Sequence, residues 1–230
     1  MKPEFINTAN TTKFFEICNE LSDPSSMIGP SLAMVTGPAG RGKTEAARRF
    51  ATQTEAIYIP PWNVGTPTMV LREIVFELSG MRPVRQDACR QVIGDEMRKQ
   101  RRLIMIDEAD LLPIKILEML RDVNECYACP ILLIGEDDLK GRIASRRRLQ
   151  SRIRTRLEFG PVTQQDVAFF FRQSLLDDYP PQAVSTLIHQ YAKGDWRPVI
   201  VAAIGIERAM KANNTNEITV EMAKNVLKSA

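Results

Sequence analysis

The chain has 230 residues, of which 44% are hydrophobic and 26% charged, and its net charge is +3. This is the composition of a globular protein, and so modest a net charge supports no general claim about acidic partners. No run of about 18 or more apolar residues occurs and the first residues lack a secretory signal, so we expect a cytoplasmic protein with no membrane segment.

In chain order, residues 1–12 are polar and predict a flexible arm, and residues 13–21 form a short amphipathic helical pattern. Apolar runs predict strands over 31–36, 56–59, 103–106 and 130–135, and helical periodicity predicts helices over 45–51, 66–80, 87–100 and 113–126. Strands that are apolar on both faces and alternate with helices favour a parallel sheet covered on both sides.

The character of the sequence changes after Gly160-Pro161, where no further strand pattern occurs. Helical patterns run over 163–176, 181–192, 197–211 and 219–228, and Thr163 with Asp166 resembles a capping box at the first of them. We therefore predict an α/β fold in two parts, a core over residues 1–160 and a small all-helical domain over residues 161–230.

The chain has four cysteines, and Cys126 and Cys129 form a C-x-x-C pattern. A zinc site would need two further ligands, and the only histidine, His189, lies far away in a helical pattern. We favour two reduced cysteines on the connection from a helix to a strand, which agrees with a reducing compartment.

Residues Gly37–Thr44 match the pattern G-x-x-x-x-G-K-[ST] in full. The preceding strand and following helix are the context that a phosphate-binding loop, or P-loop, requires. Backbone N–H groups of such a loop and the start of its helix bind phosphate, while Lys43 would reach the β- and γ-phosphates and the Thr44 hydroxyl would bind Mg²⁺. The motif predicts a nucleoside triphosphate site.

Asp107 and Glu108 directly follow the apolar run 103–106. An acid at the carboxyl end of a buried strand can hold Mg²⁺ beside the threonine of a P-loop, and a second acid can orient and deprotonate an attacking water. The sequence thus predicts Thr44 and Asp107 as the metal-site residues and Glu108 as the catalytic base.

The P-loop, the run ending in Asp107-Glu108 and the helical C-terminal part together resemble an AAA+ ATPase, a P-loop family that hydrolyses ATP with Mg²⁺. Residues 149–154 are similar to the segment that carries the arginine finger in clamp-loader-like members, and this resemblance implies that Arg152, in preference to Arg154 or Arg156, completes the site of a neighbouring subunit. Residues 194–197 resemble the sensor-2 motif, which implies that Arg197 lies over the γ-phosphate of its own chain.

The predicted site departs from the family pattern at one position. The residue after Ile134-Gly135 should be a neutral polar sensor, but the chain has Glu136 there. A carboxylate near a γ-phosphate is unfavourable unless an arginine or Mg²⁺ pairs with it. The predicted catalytic residues are Lys43, Glu108 and Arg152, and the predicted nucleotide-binding residues are Gly37, Pro38, Ala39, Gly40, Arg41, Gly42, Lys43, Thr44, Glu45, Asp107, Glu136 and Arg197.

The segment 139–157 carries eight Lys and Arg residues and no acidic residue. Such a segment in a nearly neutral protein favours contact with phosphate-bearing partners. The alternative is that it serves the subunit interface and the neighbour's nucleotide.

Among AAA+ proteins, the chain most resembles the transposition ATPases typified by phage Mu transposition protein B. The resemblance implies an ATPase that assembles on double-stranded DNA as a ring or helical filament, with little sequence preference, and delivers target DNA to a transposase and stimulates it. In filament-forming relatives the DNA-binding loops face a central channel, which here implies Asn63, Thr66, Thr68 and Lys115.

Two other functions remain open at this point. The same ATPase core could act on a protein partner, as in secretion-associated ATPases. The chain could also be a slowly hydrolysing ATP switch or scaffold, as Glu136 suggests, although Glu108 argues against it.

Overall fold

The structure, a computed structural model, describes residues 5–23, 25, 29–60, 65–176 and 178–229. This part of the chain forms two compact units. The α/β unit comprises Asn10–Pro38 and Lys43–Phe159, and the helical unit comprises Ala39–Gly42, the described residues from Gly160 onward and those up to Ala9. The division after Phe159 lies next to the predicted boundary, whereas residues 5–9 and 39–42 group with the helical unit.

The α/β unit contains a parallel five-stranded sheet with the order β2-β3-β4-β1-β5. Its strands are β1 (Leu32–Thr36), β2 (Ile57–Ile59), β3 (Ile104–Ile106), β4 (Ile131–Ile134) and β5 (Ile153–Glu158). Its helices are α1 (Ala9–Ser22), α2 (Lys43–Gln53), α3 (Pro67–Ser79), α4 (Gln86–Lys99), α5 (Ile114–Tyr127), α6 (Asp138–Ala144) and α7 (Arg147–Gln150). The predicted α/β class and parallel sheet are confirmed.

Helices cover both faces of the sheet because successive side chains of a strand point to opposite sides. Met34 and Leu133 lie in a buried cluster with residues of α3, α4 and α5. Val35 and Leu132 lie in a second cluster with residues of α1 and α2. In this cluster Phe14 of α1 packs edge-to-face against Phe159, which follows β5. The strands are therefore apolar throughout, as the sequence pattern predicts for a sheet that is buried on both faces.

The structure corrects the prediction at two places in this unit. First, β5 covers the end of the basic segment 139–157 together with Glu158, where the sequence analysis predicts no strand. Its residues alternate between half-buried and exposed, as in an edge strand. Second, the predicted flexible arm over 1–12 is wrong for its described residues. Helix α1 begins at Ala9, and Ile6 is only 8% exposed because it packs into the core of the helical unit.

The helical unit contains α8 (Gln164–Ser174), α9 (Gln182–Ala192), α10 (Trp196–Ala212) and α11 (Val220–Ser229), which confirms the four predicted helices. The predicted capping box is also confirmed, because Thr163 Oγ1 accepts the Asp166 N–H at 3.1 Å and Asp166 Oδ2 accepts the Thr163 N–H at 2.8 Å. Nowhere in the described ranges is a helix both long and apolar enough to cross a membrane.

Candidate functional site

The three predicted site segments follow neighbouring strands of the sheet. The P-loop follows β1, Asp107 follows β3 and Glu136 lies just after β4, which pairs with both β1 and β3. Because the carboxyl ends of parallel strands meet at one edge of a sheet, side chains after these strands converge there. The backbone ladder continues past β4, where the Gly135 N–H donates to the Val35 carbonyl at 3.0 Å.

The P-loop backbone needs glycine at two positions where a side chain would clash. Gly37 has a φ of 145°, and a Cβ there would lie 2.8 Å from the Phe159 carbonyl oxygen. Gly40 has a φ of 74°, and a Cβ there would overlap the Asp195 carboxylate. Helix α2 begins at Lys43, so the N–H groups of its first turn have no partner within the helix and are available to bind an anion.

The Lys43 side chain is buried at the start of α2, with 8% of the residue exposed. Its ammonium donates to the carbonyl oxygens of Gly37 at 2.6 Å and Pro38 at 2.9 Å. Burial lowers the pKa of Lys43, and four carboxylates oppose this effect, Glu136 most strongly and then Asp107, Asp110 and Asp137. The Lys43 ammonium thus lies near several acidic groups at the carboxyl edge of the sheet.

Asp107 is buried, and each of its carboxylate oxygens accepts a hydrogen bond. The Glu108 N–H donates to Oδ1 at 2.9 Å, and the Tyr58 hydroxyl donates to Oδ2 at 2.7 Å. Burial, and then the contact with Asp107, raise the pKa of the Tyr58 hydroxyl, which therefore remains a donor. The sequence analysis did not predict Tyr58 as a site residue. The available signal was a lone polar side chain near the carboxyl end of a short apolar strand, the edge at which the other site residues were predicted.

Glu108 has a left-handed backbone, with φ of 49° and ψ of 40°, which is uncommon for a residue with a side chain. Burial, and then the charges of Asp107, Asp110 and Glu136, raise the pKa of Glu108. A raised pKa makes the carboxylate a stronger base. Strained backbone and a shifted pKa at one acid are both typical of functional sites.

Glu136 is separated from the end of β4 by Gly135 and is exposed. Its N–H donates to Asp110 Oδ1 at 2.9 Å, and a Cβ at Gly135 would lie 2.5 Å from the same oxygen. Among the residues that the structure describes, Glu136 makes no ion pair. Glu136, the residue that departs from the family pattern, therefore opposes, through its charge and not through a direct ion pair, the effect of burial that lowers the pKa of Lys43.

Thr44 and Asp107 fit a magnesium site by the chemistry of their oxygens. Each carboxylate oxygen of Asp107 keeps a second acceptor position beyond its protein hydrogen bond. Mg²⁺ in phosphate-processing sites typically takes one or two protein oxygens together with phosphate and water. In the described ranges, no cluster of three or more His, Cys, Asp or Glu residues is arranged to hold a metal.

Within the helical unit, residues 194–196 contact the middle of the P-loop. The Trp196 N–H donates to the Gly40 carbonyl at 2.9 Å, and the Arg41 guanidinium donates to the Gly194 carbonyl. Asp195 caps α10, where its carboxylate accepts the Arg197 N–H at 2.7 Å. Arg197 itself is exposed, and its action on the γ-phosphate stays a prediction.

Much of the basic segment 139–157 is paired within the chain. Arg152 forms an ion pair with Glu125, Arg154 with Glu20 at 3.0 Å, and Lys140 with Glu158 at 2.7 Å and Asp137 at 2.9 Å. The acidic partners lie outside the segment or at its border, so the sequence pattern alone did not reveal them. The segment offers fewer free cations than its composition indicates, and the finger role of Arg152 stays a prediction.

The predicted DNA-binding residues are not gathered into one place by any described contact. Thr66 caps α3, its hydroxyl accepting the Met69 N–H at 3.4 Å, and Thr68 lies in the first turn of that helix. Lys115 is exposed in the first turn of α5. Asn63 lies outside the described residues.

Comparison with known families decides the classification. Residues 28–143, about half of the chain, match the AAA domain family. The chain belongs to this family. The match includes the P-loop, Asp107-Glu108 and Glu136, which are the segments that the sheet brings together, so the predicted P-loop nucleotide-binding class is confirmed.

Two phage-related proteins are similar to this AAA domain chain. "Mu-like prophage FluMu DNA transposition protein B" of Haemophilus influenzae is 30% identical over 144 residues, which are 61% of this chain and 48% of that protein. "ATP-dependent target DNA activator B" of Escherichia phage Mu is 31% identical over 175 residues, 72% of this chain and 54% of that protein. The resemblance to the transposition protein B group is confirmed, and the chain spans about half the length of these relatives.

Solved structures share the fold. The crystal structure of Cdc6p from Pyrobaculum aerophilum has a TM-score of 0.72 and 17% identity, with 99% of this chain and 69% of that chain covered. At this identity the likeness supports the AAA fold alone.

Proposed function

We propose that this AAA domain chain hydrolyses ATP with Mg²⁺, assembles on double-stranded DNA while ATP is bound, and delivers that DNA to a transposase. One observation carries the proposal. The P-loop lysine, the buried Asp107 and the adjacent Glu108 lie at one edge of the sheet in a chain that is similar to an "ATP-dependent target DNA activator".

In the hydrolysis step, Glu108 takes a proton from water as the water oxygen bonds to the γ-phosphorus, and the bond from that phosphorus to the ADP oxygen breaks. The raised pKa of Glu108 supports its role as the base. Lys43 and the N–H groups at the start of α2 stabilise the negative charge on the phosphates. Mg²⁺, when bound at Thr44 and Asp107, supplies further positive charge beside the phosphates.

Assembly would complete each nucleotide site with Arg152 of a neighbouring subunit. Arg152 is held by Glu125 in the isolated chain, so this ion pair would have to open for Arg152 to enter the neighbouring subunit's site. Arg197 would act from the same chain as the nucleotide. Both assignments rest on the motif resemblance. Turnover at different protein concentrations tests the role of Arg152, because only a site completed by a neighbour depends on concentration.

DNA binding would be largely independent of sequence. Free cations that contact phosphates displace counterions, so the affinity for DNA should fall steeply with salt. Arg147 and Arg148 on α7, Arg156 on β5 and Lys115 on α5 are exposed and make no ion pair with any residue in the described ranges. They are the candidates for such contacts in this unit.

The deciding experiment is fluorescence anisotropy of labelled duplex DNA with ATP, ADP or no nucleotide across a salt series. Tight binding with ATP alone that weakens steeply with salt and ignores sequence supports the proposal. Lys43→Ala is the matched control, because a protein that cannot hold the ATP phosphates should lose the increase in DNA affinity that ATP causes. Negligible binding in all three nucleotide states would overturn the DNA role and favour a protein partner.

Turnover separates an ATPase from a nucleotide-bound switch. Specific activity that rises with protein concentration and is lost in Arg152→Ala supports a site completed by a neighbour. Activity that is absent at every protein concentration, with and without DNA, would overturn the catalytic part of the proposal.

A further inference from the structure

Tyr58 lies outside the recognised motifs, and its hydroxyl contacts the predicted metal-binding carboxylate of Asp107. Its hydroxyl donates to Asp107 Oδ2 at 2.7 Å, while the Glu108 N–H donates to Oδ1 at 2.9 Å. Two donors on two different oxygens fix the rotation of the carboxylate about its side-chain bonds. Each oxygen keeps one acceptor position for a metal ion or a metal-bound water.

The backbone of β2 sets the position of Tyr58. β2 pairs with β3 so that Tyr58 lies opposite Met105 and Ile59 lies opposite Ile106. The Asp107 N–H then donates to the Ile59 carbonyl at 3.1 Å, which ties the acid to the same strand. The tyrosine and the carboxylate are thus placed by one hydrogen-bonded ladder, with little freedom to move apart.

A residue of the P-loop helix also contacts the tyrosine. The Arg48 guanidinium on α2 lies 5.7 Å from the centroid of the Tyr58 ring, within the range of a cation–π contact. Helix α2 also begins with Lys43 and Thr44. Tyr58 therefore contacts both the helix that carries the predicted metal-binding hydroxyl and the predicted metal-binding carboxylate that follows β3.

We propose that Tyr58 is a positioning residue for Asp107: its hydroxyl holds the carboxylate in the orientation that receives Mg²⁺. The proposal rests on the proposed ATPase function for its role in turnover, but its effect on metal binding does not require turnover. A hydroxyl that donates to a buried carboxylate could also act in folding alone, and the experiment separates the two roles.

The test variant is Tyr58→Phe, which removes one hydroxyl and keeps the ring. Tyr127→Phe is the matched control, since Tyr127 lies partly buried in the same unit and its hydroxyl makes no hydrogen bond to a described residue. Three quantities are measured for each: the melting temperature, the affinity for ADP in the presence of a chelator, and the affinity for Mn²⁺ in the presence of ADP by electron paramagnetic resonance. The kcat and KM for ATP are measured in parallel.

For Tyr58→Phe we expect an affinity for Mn²⁺ about tenfold weaker and a kcat about tenfold lower, with metal-free ADP affinity within about twofold of wild type. Tyr127→Phe should match wild type in all of them. Unchanged Mn²⁺ affinity in a folded Tyr58→Phe protein would overturn the proposal, as would an equal loss of ADP affinity in chelator. If wild-type protein binds Mn²⁺ and ADP but never turns over ATP, the proposed hydrolysis fails while the Mn²⁺ comparison still decides the role of Tyr58.

Discussion

Asp110 Oδ1 accepts the backbone N–H of Glu136 at 2.9 Å. This hydrogen bond joins the turn after β3 to the turn after β4. It holds Glu136 in the acidic group with Asp107 and Asp110, whose charges, after burial, raise the pKa of Glu108. The spacing of the acidic groups in the site therefore depends on a residue that belongs to neither the P-loop nor the Asp107-Glu108 pair.

Replacing Asp110 with Ala should loosen the turn that carries Glu136. The N–H of Glu136 would lose its acceptor, so we expect its hydrogen exchange to become roughly tenfold faster, in line with the loss of a hydrogen bond to a charged group. Asp110→Asn is the control, because an amide oxygen can still accept the bond. Equal exchange at residues 135–139 in both variants and wild type would contradict the anchoring role.

Replacing Glu136 with Gln should strengthen the binding of ATP. The variant removes a negative charge near Lys43, where the triphosphate is expected, and a gain of about 1 kcal/mol corresponds to an affinity about fivefold tighter. The measurement is titration with a fluorescent ATP analogue at constant ionic strength. Asp138→Asn removes a charge from the first residue of α6, which has no described effect on Lys43, and a similar gain in ATP affinity in that control would show that the effect is general.

Replacing Glu108 with Gln should separate binding from hydrolysis. The amide cannot accept the proton of the attacking water, so turnover should fall by roughly 100-fold or more, while ATP affinity stays within a few-fold of wild type. Steady-state phosphate release and nucleotide titration give the two quantities. Retention of more than a tenth of the wild-type turnover would rule out Glu108 as the main base.

Thiol labelling tests the environment of the C-x-x-C pair. Cys126 is exposed, whereas Cys18, Cys89 and Cys129 are buried, so a maleimide at pH 8 should modify one thiol per native chain. Burial raises the pKa of Cys129 to about 12, so this thiol stays protonated and unreactive even at pH 9. Mass spectrometry identifies the labelled residue, and Cys126→Ser should abolish labelling; rapid modification of Cys129 in folded protein would be inconsistent with the structure.

The sequence predicts most of the fold because its signals are local. Glycine and proline mark the ends of α3, where Thr66 is the N-cap and Gly80 the C-cap, and the four apolar strand patterns all form strands. The P-loop and the Asp107-Glu108 pair are contiguous motifs, and the sheet topology alone brings them to one edge. These features need no knowledge of which distant residues meet.

The features that the sequence analysis missed depend on pairing between distant segments. Tyr58 and Asp107 are 49 residues apart, and only the register of β2 against β3 joins them. Likewise, Glu125 and Glu20 neutralise arginines of the basic segment from α5 and α1. Strand β5 was not predicted because its arginines were interpreted only as part of a basic segment. They alternate with less polar residues at the period of two that is typical of a strand.

The position of β5 gives its charged residues a second physical role. β5 is an edge strand of the sheet, and exposed residues, among them Arg154 and Arg156, alternate along it with half-buried ones. Charged side chains on an edge strand discourage pairing with the edge strand of another molecule, which is a route to aggregation. Neutralising these arginines to probe DNA binding would also remove this protection, so a loss of DNA binding in such a variant would need a check by light scattering before it is attributed to lost phosphate contacts.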